Sequence, residues 1–167
     1  MATHRAGRGG AKAGSHQETE APPAPYDVIL SEHASDVYRN LHRAMIEAEK
    51  RGENNSSHHT IFHMIEETIK VFIPRNPIDP KYGLKGALSK FFRIKKSRHR
   101  VCWAANSNTR MVCILFISET LRKDGDKNDP YALFERMLKS GQYDHLLKKI
   151  GVDAKVFREG PPEVAWN

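Results

Sequence analysis

The chain has 167 residues, enough for one domain with its own core, and a hydrophobic fraction of 39%, typical of a globular protein. No apolar run approaches the roughly 18 residues of a membrane span, and no hydrophobic stretch follows the basic N-terminus, so we expect neither a membrane protein nor a secreted one. Two cysteines are too few for a disulfide scaffold or a Cys-based zinc site, which favours the reducing cytoplasm.

The net charge is +7, and its distribution along the chain is uneven. Residues 81–118 contain nine Lys and Arg and no Asp or Glu, so the rest of the chain carries −2. A solvated surface usually mixes both signs, whereas basicity in one segment indicates a polyanionic partner.

The chain divides into three parts by composition. Residues 1–25 are rich in Ala, Gly and Pro and are predicted to be a disordered extension. Residues 26–150 form the predicted domain, and residues 151–167 a C-terminal tail.

Two helices are predicted first in the domain. Ser31 is a suitable N-cap for a helix through Lys50, and Ser56 or Ser57 for a second helix that Pro74 stops. The short loop between them predicts antiparallel packing.

Three strands and a further helix follow. Residues 91–96, 98–105 and 111–117 predict an antiparallel meander, with the last strand apolar on both faces and therefore buried. Asp129 and Pro130 begin a helix that Gly141 ends, and residues 143–150 predict one more short helix. The fold class is α+β, with two N-terminal helices, a small antiparallel sheet and a C-terminal helix.

Two groups of potentially reactive side chains have simpler interpretations. Cys102 and Cys113 lie on neighbouring predicted strands and are interpreted as core residues. His58, His59 and His63 invite a metal site, but they lack a His-Glu-x-x-His pattern and a third ligand, so exposed helix-start residues are favoured.

The basic strands are the most informative region. Alternation places Arg93 and Lys95 on one face of their strand, and Arg98 and Arg100 on one face of the next, so pairing predicts four cations on one surface. Fixed cations can stabilise the pentacoordinate phosphorane formed when a ribose 2′-hydroxyl attacks its phosphodiester. That reaction needs a proton acceptor and donor, but neither metal nor cofactor.

These motifs resemble a known family. The segment LKG (84–86), then FFRIKKSRHRVCWA, a turn and MVCILFIS resembles the core of the RelE superfamily of toxin ribonucleases. LRKDGDKNDPYALFERMLKSG (121–141) resembles its YhaV branch. The resemblance runs from about residue 38 to 141.

The resemblance implies a RelE-like fold and a metal-independent endoribonuclease that cleaves mRNA, often at or near the ribosome. It also implies inhibition by a cognate AbrB-like antitoxin of the PrlF type in a hetero-oligomeric complex.

By position, the implied catalytic residues are Arg93, Lys95, Arg100 for phosphate stabilisation, and Arg122 for the leaving group. The predicted RNA-binding residues are Lys85, Lys90, Lys96, Arg98, His99 and Tyr131. His99 departs from the family, which often has Tyr there; alternation turns it away from Arg100 toward the core, and if it reached substrate it would titrate near neutral pH.

Two alternatives remain open. The same basic sheet can serve a non-catalytic RNA- or ribosome-binding module, which would lose affinity gradually as cations are removed. It can also serve a structural protein that binds only an acidic partner, in which case expression without that partner would not arrest growth.

Overall fold

The computed structural model describes residues 24–118 and 129–153. The expected extension 1–25 and tail 151–167 therefore lie almost wholly outside the described residues, and Arg122 lies wholly outside them. The elements are β1 (Asp27–Leu30), α1 (Glu32–Lys50), α2 (Ser57–Glu67), a π-helical segment (Thr68–Phe72), α3 (Ile73–Arg75), two 3-10 turns (Pro80–Tyr82 and Gly86–Leu88), β2 (Phe92–Lys96), β3 (His99–Asn106), β4 (Met111–Ile117), α4 (Pro130–Lys139) and α5 (Asp144–Ile150).

The sheet confirms the predicted meander and adds a strand to it. Its order is β1-β4-β3-β2, with β2, β3 and β4 antiparallel and β1 parallel to β4. The α+β class is confirmed. The added strand is only four residues long, and its partner lies far along the chain, with Asp27 opposite Met111. Such a short, non-local parallel pairing leaves no local sequence pattern.

Helices cover both faces of the sheet. The α1–α2 side buries Ile65, Ile69 and Ile73 against Trp103 and Ile114. On the other face, α4 and α5 share an apolar core with the sheet, formed by Phe134, Leu138, Leu147 and Ile150 against Cys102, Cys113 and Leu115. The predicted burial of β4 and of both cysteines is therefore confirmed. None of the helices in the described ranges is long and apolar enough to cross a membrane.

Two of the three predicted helix caps form side-chain cap bonds; the third, Ser56, stands at the N-cap position of α2 but its hydroxyl makes no cap bond. The Ser31 hydroxyl accepts from the Ala34 amide at 3.0 Å and donates to the Leu115 carbonyl at 2.6 Å, which ties the start of α1 to β4. The Asp129 carboxylate accepts from the Tyr131 amide at 3.3 Å and begins α4.

The prediction that Pro74 stops the second helix is wrong by two residues. The chain winds into a π turn in which the Ile73 amide donates to the Thr68 carbonyl, and helical structure continues through Arg75. Pro74 lies in the last turn of this continuous helical stretch, where it has no N–H to donate to the preceding turn. The helix ends at Asn76, one residue before Pro77.

Candidate active site

Three cations lie on one face of the β2–β3 hairpin. Lys95 on β2 lies directly opposite Arg100 on β3, and Arg93 lies opposite Cys102. Residues opposite each other on antiparallel strands project to the same face of the sheet. On this face α4 and α5 pack over β3 and β4, whereas Arg93 and Lys95 on the outermost strand stay exposed. The cations therefore border the helical layer rather than lie beneath it.

Contrary to the prediction, Arg98 does not lie on this face. It lies in the two-residue turn between β2 and β3, where Ser97 adopts a positive φ of 55°. The turn ends the strand pairing at Lys96 and His99, so Arg98 is exposed beyond the ladder. The predicted four-cation face consequently has three members.

Arg100 is the most firmly held of the three. The Ser118 hydroxyl accepts from its amide at 2.8 Å, and the Ser118 amide donates to its carbonyl at 2.9 Å. Both residues are buried, and only 6% of the surface of Arg100 is exposed. A β-bulge at Cys102/Trp103, two residues after Arg100 on β3, shifts the β3–β4 register, as is common beside functional sites.

Tyr131, in the first turn of α4, joins the two arginines. The guanidinium carbons of Arg93 and Arg100 lie 5.4 Å and 5.8 Å from the centre of its ring, within cation–π range. Its hydroxyl is buried and has no hydrogen-bond partner in the described part of the chain. The site therefore holds an unused donor next to two guanidinium groups.

The three cations form no ion pair with the acidic side chains that the structure describes. Within residues 24–118 and 129–153, none of Arg93, Lys95 and Arg100 forms an ion pair within 4.0 Å. A nearly buried guanidinium without a carboxylate is costly unless an anion neutralises it. An RNA phosphate has the matching charge and the oxygens that a guanidinium binds best.

Cys102 lies on the same face but is not a nucleophile. Burial raises the pKa of its thiol to about 12, and the neighbouring Arg93 and Arg100 oppose that shift only in part. The thiol is therefore protonated at neutral pH, in agreement with its predicted core role.

The other predicted RNA-binding residues are placed elsewhere. Lys96 and His99 are paired on the opposite face of the hairpin, as alternation predicted for His99. His99 is buried, and that burial lowers its pKa, so it is neutral at pH 7. Lys85 and Lys90 are exposed in the segment before β2.

The histidine group does not form a cluster. The ring of His59 lies between Glu49 and Ser56. Its Nε2 is 3.0 Å from the Glu49 carboxylate, and its Nδ1 is 2.9 Å from the Ser56 hydroxyl. Across the described ranges, no three His, Cys, Asp or Glu side chains come close enough together to hold a metal ion.

Sequence reasoning missed Ser118 and the contact of one tyrosine ring with both arginines. A hydroxyl directly after a buried strand was the available signal for Ser118. No local signal existed for the Tyr131 contacts, since they join α4 to β2 and β3.

A separate cavity of about 570 Å³ lies beside β1, lined by Tyr26, Val28 and Leu30 among others, and includes none of the three cations.

The fold and this face define a small α+β protein with a partly buried cationic site that has no ion-pair partner among the described residues. A family model described as "Toxin with endonuclease activity, of toxin-antitoxin system", the YhaV toxin family, matches residues 27–155. That match covers well over half of the chain, so the chain belongs to the YhaV toxin family, a toxin with endonuclease activity. The resemblance seen in the sequence is confirmed.

Solved structures give distant similarities. A RelBE2 toxin–antitoxin complex from Mycobacterium tuberculosis matches with 20% identity and a TM-score of 0.42, over 61% of this chain and 97% of that one. The intact RelBE complex of E. coli matches with 15% identity and a TM-score of 0.41, over 58% and 99%. The isolated E. coli RelE toxin matches with 14% identity and a TM-score of 0.43, over 69% and 97%. None of the curated proteins compared with the chain matches it. The family assignment rests on the family model.

Proposed function

We propose that this toxin is an endoribonuclease that cleaves mRNA without a metal ion or cofactor, using the β2–β3 face. One observation carries the proposal: Arg100 is 6% exposed and fixed at its backbone by Ser118, yet has no acidic partner among the described residues. A cation held in this way is preorganised for a charge that the substrate brings.

The proposed reaction is an internal transesterification. The 2′-oxygen of a ribose forms a bond to the adjacent phosphorus, and the bond from that phosphorus to the 5′-oxygen of the next nucleotide breaks. The products are a 2′,3′-cyclic phosphate and a 5′-hydroxyl. Arg100 and Arg93 stabilise the extra negative charge on the phosphorane.

Two protons move in this step. Lys95, opposite Arg100 on the same face, acts in its unprotonated amine form and takes the proton of the 2′-hydroxyl to become an ammonium. The Tyr131 hydroxyl, buried beside both guanidinium groups and without a partner in the described part, donates to the leaving 5′-oxygen. Arg122 assists the departure of the same 5′-oxygen, which is the role that the family resemblance implies for it.

Exposed cations around the site would guide the RNA strand. Lys85, Lys90 and Arg98 are exposed and contact phosphates, and Lys96, His99 and Tyr131 contact the strand nearer the hairpin. The residues 1–25 extension and the 151–167 tail remain outside this proposed catalytic domain of residues 26–150.

We also propose that a cognate AbrB-like antitoxin of the PrlF type inhibits the toxin in the cytoplasm, and that translating ribosomes present the mRNA. The support for an antitoxin is the family description, which places these toxins in toxin–antitoxin systems. The acid-free segment 81–118 offers acidic antitoxin residues a complementary surface.

The test is incubation of end-labelled free mRNA with purified protein in EDTA, and, in a separate arm with Mg²⁺, of the same mRNA bound to ribosomes. The expected fragments carry 2′,3′-cyclic phosphate and 5′-hydroxyl ends, and Arg100→Ala should form them at least about 10²-fold more slowly. The matched control is Arg43→Ala, which removes one exposed charge from α1 on the other side of the sheet.

Other outcomes separate the alternatives. RNA that stays intact in every arm but binds the wild-type protein supports the binding module. Absence of both cleavage and RNA binding, with no growth arrest on expression alone, supports a protein that binds only an acidic partner. Cleavage that EDTA abolishes contradicts the metal-free chemistry.

A further inference from the structure

The face of the hairpin opposite Arg100 carries a second cation–aromatic pair. The Lys96 ammonium lies 4.8 Å from the centre of the Phe72 ring. Phe72 is 37% exposed, so part of its side chain is open to solvent. His99 lies directly opposite Lys96 on β3, and its Nδ1 is buried with no partner in the described residues.

The local backbone accounts for the exposure of Phe72. It is the last residue of the π-helical segment, between the buried Ile69 and Ile73 of the core. The wider π turn keeps those two residues inside while Phe72 stays at the surface. Such π turns occur frequently at functional sites.

The edge of the sheet connects this pair to the proposed active site. β2 is an outermost strand, and the Gly83 segment pairs with it only at Phe92. From Arg93 to Lys96 the outer edge has no strand partner within the described ranges. A strand of RNA that crosses this edge meets Lys95 on one face and Lys96 on the other.

The charge and chemistry of the pair fit a nucleotide. Lys96 forms no ion pair with an acidic side chain in the described part, and its segment contains no Asp or Glu. A lysine supplies a phosphate contact, and an exposed aromatic ring offers a face on which any base can stack. An acidic protein segment would satisfy the lysine but has no need of the ring.

We infer that Phe72 and Lys96 form a nucleotide-binding subsite for single-stranded RNA, on the opposite face of the hairpin from Arg100. The bound strand crosses the outer edge of β2, with the scissile phosphate on one side and a stacked base on the other. The inference rests on the proposed function for the identity of its ligand.

The test uses short 2′-O-methyl RNA, which cannot be cleaved, in a series with one abasic position moved along the oligonucleotide. Affinity is measured by fluorescence anisotropy for the wild type, Phe72→Ala and Phe72→Leu. At one position the abasic substitution should weaken wild-type binding roughly tenfold and have little effect on Phe72→Ala. Phe72→Leu keeps an apolar side chain without a ring face and should behave like Phe72→Ala. Phe72→Trp, measured in the same way, keeps a ring face and should show the same abasic effect as the wild type.

Contrary results are readily distinguished. Equal affinities of wild type and Phe72→Ala at every position overturn the inference, as does a wild-type protein that binds no RNA. Loss of antitoxin binding in Phe72→Ala with unchanged RNA affinity assigns the surface to a protein partner and overturns it too. Because the RNA cannot be cleaved, absence of nuclease activity would contradict the proposed function and leave this test unaffected.

Discussion

Replacement of Tyr131 by Phe should raise the stability of the protein while lowering its activity. The hydroxyl is buried and unpartnered in the described residues, so its removal relieves a desolvation cost of about 1 kcal/mol. The ring remains, and with it both cation–π contacts to Arg93 and Arg100. Tyr131→Ala removes those contacts and a half-buried ring, and should cost about 2–3 kcal/mol.

Urea unfolding measures these changes as shifts of the midpoint at an unchanged m-value. In parallel, single-turnover RNA cleavage should slow about 10²-fold in Tyr131→Phe, the usual loss when a general acid is removed. A Tyr131→Phe protein less stable than the wild type by more than about 1 kcal/mol would show that the hydroxyl has a stabilising partner. An unchanged cleavage rate would remove the hydroxyl from the chemistry.

Three further predictions concern the scaffold and are measured by urea unfolding. Gly151→Ala should destabilise by about 1–2 kcal/mol, because φ is +85° and the new Cβ would lie 2.7 Å from Nδ2 of Asn106; an unchanged midpoint would refute this. Ser118→Ala should cost about 2 kcal/mol, because the buried Arg100 amide loses its acceptor, and a loss below about 0.5 kcal/mol would contradict that role. Burial lowers the pKa of His99, so below about pH 6.5 the unfolded chain binds a proton that the folded protein does not, and stability falls as the pH falls. His99→Gln should remove this contribution, and parallel pH profiles of the two proteins would argue against it.

The sequence predicted the parts of the fold that have local causes. Ser31 and Asp129 carry hydroxyl or carboxylate oxygens at helix starts, and both cap as expected. The unbroken apolar run of β4 indicated burial on both faces, which the two cores confirm. β1 escaped prediction because its pairing with β4 depends on residues far away in the chain.

The same distinction applies to the candidate site. Strand alternation correctly predicted that Arg93 and Lys95 share one face of β2, and that His99 and Arg100 lie on opposite faces of β3. The position of Arg98 was mispredicted because the turn takes up both Ser97 and Arg98, so that β3 begins at His99, one residue later than the strand pattern implied. The approach of Tyr131 is a tertiary contact, set by how α4 packs on the sheet rather than by any local pattern.

The central claim is that Arg100 stabilises the transition state of RNA cleavage rather than merely attracting RNA. The most direct measurement compares wild type, Arg100→Ala and the Arg43→Ala control for two quantities: the cleavage rate constant at saturating RNA and the Kd for 2′-O-methyl RNA. The claim predicts that Arg100→Ala slows cleavage by 10²-fold or more, roughly as for the loss of one preorganised donor, while Kd changes less than about tenfold. A cleavage rate at saturation equal to that of Arg43→Ala, with the whole effect in Kd, would contradict it.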